Sequence, residues 1–124
     1  MREIKTHQAH EADTAVRVFA VGDPARGGAV PAYDLHLQPA GAPESHVACK
    51  LRFQIGVGGS ALANGVTDEA LLAVVMDRLE GFQADEFPSD HNTKALKHLG
   101  FALKALHART HDRRARGVEG EYRA

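Results

Sequence analysis

The sequence is short of several things. Its 124 residues include one cysteine, no tryptophan and two methionines, and aromatics make up only 6%. A single Cys49 excludes an internal disulfide and a cysteine-only metal cluster, and it fits a reducing compartment. No apolar run approaches the ~20 residues of a membrane span, so no membrane partner is expected. The stretch Met1 to Asp13 is polar, carries both charge signs and has no apolar centre, so it reads as neither signal nor transit peptide. A net charge of −1 argues against a generic nucleic-acid binder, and no DNA partner is expected. Hydrophobic residues at 44% are enough for one modest core, and the length fits a single domain over residues 1–124. A thin core beside a long helix suggests oligomerisation, because a small chain buries a limited share of its own surface.

What is present is unevenly spread. From Thr67 to Asp90 seven acids (Asp68, Glu69, Asp77, Glu80, Asp85, Glu86, Asp90) face the single base Arg78. From Lys104 to Ala124 six bases (Lys104, Arg109, Arg113, Arg114, Arg116, Arg123) outnumber Asp112, Glu119 and Glu121. Two copies packed antiparallel would pair the acidic end with the basic end.

The N-terminal part, residues 1–55, reads as strands. Arg2 to Gln8 fits a short edge strand, and Ala15 to Val21 is β-branched and aromatic. Ala32 to Leu37 alternates Tyr33, Leu35 and Leu37 against Asp34 and His36. In His46 to Ile55, Val47, Cys49, Leu51, Phe53 and Ile55 share one face, and Lys50, Arg52 and Gln54 share the other. Short breakers join these strands, so the sheet should be antiparallel. Residues 56–66 form a glycine-rich loop. It has no Lys before a Ser or Thr and no intact G-x-G-x-x-G, so it reads as a connector and not as a phosphate loop.

Residues 67–120 read as a helical hairpin. Thr67 caps the first helix, whose apolar face is Leu71, Leu72, Val75, Leu79 and Phe82. The break is Gln83 to Pro88. Ser89 or Asp90 caps the second helix, and Gly117 stops it. The stripe of the second helix is Ala95, Leu96, Leu99, Ala102, Leu103 and Leu106. Asn92 precedes it by one turn, and Arg109, Arg113 and Arg116 follow on or beside the same face. The fold class is therefore α+β: a small antiparallel sheet followed by a C-terminal two-helix hairpin, assembled as an oligomer.

Taken singly, each candidate residue has an ordinary explanation. Phe82 fits the core, Asn92 a local cap, and the arginines a helix C-terminus. His107 and His111, four apart, have no third ligand, so neither a metal nor a cofactor is expected. No nucleophile or acid–base motif stands out, so no enzyme is expected. Taken together, an aromatic to stack a base, an amide to read its edge and arginines for phosphates make a nucleotide-binding set. Asn92 and Arg109 are ~25 Å apart along one helix, so one small ligand cannot bridge them there. Antiparallel pairing would bring Phe82 and Asn92 of one copy beside Arg109 and Arg113 of the other.

These residues also resemble a known family. Phe53-Gln54-x-Gly56, the block from Asn64-Gly65-Val66-Thr67 to Val75, Asp77-Arg78-Leu79-x-x-Phe82-Gln83, Phe87, Asn92 and the closing run Arg109 to Gly120 resemble the first type of phage anti-Thoeris protein. These are sponges that sequester glycocyclic ADP-ribose (gcADPR) signals made by bacterial TIR-domain proteins. The resemblance implies a non-catalytic protein of the host bacterial cytoplasm. It implies a homo-oligomer, either a dimer or a hexamer built as a trimer of dimers, and in some members binding of CBASS cyclic di- or trinucleotides. It implies ligand contacts from Phe82, Asn92, Arg109 and Arg113. The stripe adds Arg116, and the matching end block adds Val118 and Glu119. The rival readings are a small nucleic-acid-binding module and a structural phage protein, each using the basic C-terminal helix.

Overall fold

The computed structural model of the chain describes residues 1–55 and 64–117. Its elements are β1 (Arg2–Ile4), β2 (Val16–Ala20), β3 (Ala32–Leu37), β4 (His46–Arg52), α1 (Asp68–Ala84) and α2 (Asp90–Ala115). They fall into two compact units, Met1–Gly56 with the strands and Val57–Ala124 with the helices. The fold is α+β, with a four-stranded antiparallel sheet in the order β1-β2-β3-β4 ahead of two helices. No helix among the described residues is long and apolar enough to cross a membrane.

The sheet is a meander because each connection is too short for anything else. β1 ends earlier than the expected Gln8, since Gln8 N–H turns back to the Lys5 carbonyl at 3.0 Å. Paired residues across strands share a face, which sorts the side chains. Val18, Leu35 and Cys49 lie in one row, and Ala20, Tyr33 and Leu51 in the next, on the apolar face. Tyr33 and Phe53 meet edge to face there at 5.7 Å. Ala20, on the inner strand β2, is buried at 1% exposure.

One expectation fails. His36 pairs with Val47 while Leu35 pairs with Cys49, so Ala48 is an extra, unpaired residue at a bulge. A bulge resets the period-two alternation. Val47 therefore leaves the face of Cys49 and Leu51 and joins Arg17 and His36 on the opposite one.

That opposite face is tied together by polar contacts. Arg17 donates from Nε and Nη2 to the two Glu3 carboxylate oxygens, at 2.8 and 3.0 Å. Its guanidinium lies 5.1 Å from the centroid of the Phe19 ring, which meets His36 edge to face at 4.9 Å. The paired Arg17 holds the Glu3 carboxyl below its ordinary value of 4.5.

The helices begin and end where their caps demand. The Thr67 hydroxyl accepts from Ala70 N–H at 3.1 Å, with Asp68 and Glu69 against the positive helix end. Ser89, not Asp90, caps α2, accepting from His91 and Asn92 N–H. Gly117 takes a positive φ of 70° that a side chain would resist, and its N–H reaches the Arg114 carbonyl at 3.0 Å. α1 runs one residue past Gln83, into what the sequence marks as the break. The connection is correspondingly short, and short connections make antiparallel neighbours.

Candidate functional site

The candidate residues sit at two ends of the helical unit. Phe82 occupies the last turn of α1 and Asn92 the first turn of α2, so both flank the same connection. Between them lies a clamp that sequence reasoning missed. The Gln83 amide nitrogen donates to the Ser89 carbonyl at 2.9 Å and to Thr93 Oγ1 at 2.7 Å. Its carbonyl oxygen accepts from Ser89 N–H at 2.8 Å. One side chain thus spends both donors and its acceptor across the turn. The signal was there in principle: a glutamine six residues before a serine cap can span a tight turn.

Phe82 is 51% exposed, which is unusual for a large apolar side chain ending a core stripe. The reason is a split in α1. Leu72, Met76, Leu79 and Gln83 are half-buried, whereas Val74, Val75 and Phe82 face outward. The Arg78 guanidinium stands 5.7 Å from the centroid of the Phe82 ring. Asn92 is half-buried, and its N–H reaches Ser89 Oγ at 3.4 Å.

The arginines lie at the opposite end. α1 has 17 residues and α2 has 26, so α2 outruns its neighbour by nine residues, or ~13 Å. In an antiparallel hairpin that excess falls on the C-terminal turns of α2. The half-buried stripe of α2 runs Asn92, Leu96, Leu99, Leu103, Leu106, Thr110 and Arg113. Arg113 therefore lies on it. Arg109 and Arg116 are exposed and lie to one side of it, as does Ala102, which the sequence had placed on the stripe. Arg116 is held by Asp112 at 2.9 Å, one turn back. Val118 and Glu119 lie outside the described residues, as does most of the glycine-rich loop.

Within one chain, then, Phe82 and Asn92 flank one connection and the arginines gather separately. The two groups are ~25 Å apart along α2. His107 and His111 are both exposed, and no group of three or more metal-capable side chains occurs among the described residues. A polar cleft of about 260 Å³ lies beside the sheet, lined by Glu3, Lys5, Gln8, Glu11, Thr14, Arg17 and Gln38. Its charges oppose one another and Glu3 already satisfies Arg17, so it shows no preference for an anion.

Comparison with known proteins bears on the hairpin. The Acb2/Tad1 hairpin-domain family matches residues 46–111, more than half the chain. The match takes in β4, α1 and all of α2 up to His111. Thoeris anti-defense 1 of Bacillus phage SBSphiJ7 is 43% identical over 72 residues, which is 58% of this chain and 51% of that protein. The similarity therefore spans about half the length of that relative.

Proposed function

This chain belongs to the Acb2/Tad1 hairpin-domain family, and from that membership we propose that it binds and sequesters a cyclic nucleotide immune signal without altering it. The phage relative is named for anti-defense against Thoeris, which supports a role in evading host defence. The signal we assign is gcADPR, with CBASS cyclic di- and trinucleotides as further candidate ligands. Capture takes place in the infected host's cytoplasm.

The observation that carries this reading is the division of the hairpin. One end offers an exposed ring, Phe82, and a half-buried amide, Asn92. The other offers Arg109, Arg113 and Arg116 on a projecting helix. An ADP-ribose-type ligand needs both halves: a surface for its base and cations for its pyrophosphate. A second copy lying antiparallel supplies the missing half to each end, giving two equal pockets about a two-fold axis. Dimers of this kind can associate further into a hexamer.

The test is direct. The protein is incubated with gcADPR, the free ligand is removed, and the complex is heated. The account expects depletion from solution and release of unaltered ligand. Release of a changed product means an enzyme, and absence of depletion means that neither reading holds. Binding should also raise the melting temperature, by the equivalent of ~2.7 kcal/mol at a hundredfold excess over Kd.

A further inference from the structure

Arg78 is the only base between Thr67 and Asp90, a segment with seven carboxylates. On the helix surface its neighbours three and four residues away are Val74, Val75, Gly81 and Phe82, none of them acidic, and Asp77 and Glu80 do not face it. It makes no ion pair among the described residues. Its guanidinium instead stands over the exposed Phe82 ring, one turn along the same helix. The ring beside that cation remains 51% exposed.

We propose that Arg78 is a ligand-contacting residue, a cation beside the stacking platform that takes a phosphate oxygen when a base stacks on the exposed Phe82. This rests on the nucleotide reading above and extends it to a residue outside the candidate set. A planar guanidinium suits both tasks: it lies on an aromatic face in the free protein and presents a fork of donors to a phosphate in the complex. The surrounding carboxylates sharpen the assignment. Without Arg78, the α1 half of the pocket would offer only negative charge to an anionic ligand, and repulsion would be uncompensated until the partner's arginines arrived.

The experiment uses three variants, Arg78→Ala, Arg78→Gln and Arg78→Lys, titrated with gcADPR by calorimetry. The side chain is exposed, so melting temperatures should stay close to wild type. Loss of a charge-assisted phosphate contact should weaken binding roughly 10- to 100-fold in Arg78→Ala. Arg78→Gln keeps a planar group for the ring but no charge, and should be as weak as Arg78→Ala. Arg78→Lys keeps the charge and should recover most of the loss. Any ranking in which Arg78→Gln binds as well as Arg78→Lys, or in which Arg78→Ala binds like wild type, overturns the proposal. Phe82→Ala run alongside separates the two failures. If Phe82→Ala loses binding while Arg78→Ala does not, only the Arg78 assignment falls. If wild type itself takes up no gcADPR, the sequestration reading falls and Arg78 with it.

Discussion

The sheet unit and the helical unit are held together by different means. In the sheet, strands distant in sequence pair along their length, and Ala20 is sealed between its neighbours. Ion pairs cross between its strands, Glu3 with Arg17 at 2.8 Å and Asp34 with Arg52 at 3.0 Å. The helical unit has no fully buried side chain among its described residues. It relies on caps, a half-buried seam and the Gln83 clamp. Large apolar groups, including Val74, Phe82 and Phe101, are left more than half exposed. A surface of that kind suits a unit that meets something else. The family match falls on the same side of the divide, covering both helices and only the last strand of the sheet.

Six substitutions would break or sharpen the contrast. The largest effect is expected in the sheet. Ala20→Asp buries a charge with no partner and should cost about 3 kcal/mol or more, read as lost amide protection in β2 and β3 by hydrogen exchange. Unchanged protection there would mean that the sheet is not organised around Ala20. In the helical unit the largest effects should be on binding and not on folding. Phe82→Ala should lose ~1–3 kcal/mol of ligand affinity by calorimetry. Arg109→Ala and Arg113→Ala should each lose ~1.5–3 kcal/mol. The melting curves of Phe82→Ala and Arg109→Ala should barely move, because both side chains are exposed.

Gln83→Ala should be smaller and should act on stability. It removes three hydrogen bonds across a half-exposed turn, which is worth about 1–2 kcal/mol. Chemical denaturation measures it, and a midpoint equal to wild type would show that the clamp is dispensable. The smallest effect concerns pH. The Glu3 carboxyl is depressed in the folded chain, chiefly by its hydrogen bonds to Arg17. Its stabilising contribution is therefore complete above the ordinary value of 4.5 and is lost as pH falls through the depressed one. Glu3→Gln should flatten the acid limb of the stability curve and leave neutral pH nearly unchanged. An acid limb of wild-type steepness in that variant would discount the pair.

Much of this was legible in the residues. Period-two alternation placed β3 at its observed ends, and Thr67, Ser89 or Asp90, and Gly117 marked the helix ends, with Ser89 proving to be the α2 cap. The bulge at Ala48 was not legible, because an unpaired residue leaves no mark in composition and only the partner strand reveals it. The α1 end was misread because acidic residues and Pro88 look like a turn, whereas Pro88 constrains only Phe87 before it and Gln83 remains helical. The site was half legible. Spacing put Arg109, Arg113 and Arg116 on or beside the seam, where Arg113 lies on it and the other two beside it, but Ala102, expected on the stripe, is exposed to one side. Arg78 went unnoticed because a lone base among acids looks like a solvated ion-pair partner until its position over Phe82 is seen.

The central claim is that each pocket is shared between two copies, with Phe82 from one and Arg113 from the other. Calorimetry on a re-annealed mixture of Phe82→Ala and Arg113→Ala proteins tests it most directly, with subunit exchange verified by mass spectrometry. If the pocket is shared, a mixed dimer carries both lesions in one pocket and neither in the other. Binding of gcADPR, weak in each variant alone, should then partly return on mixing. If each pocket were built from one chain, every pocket would keep a lesion. Exchange without any recovery of binding would contradict the account.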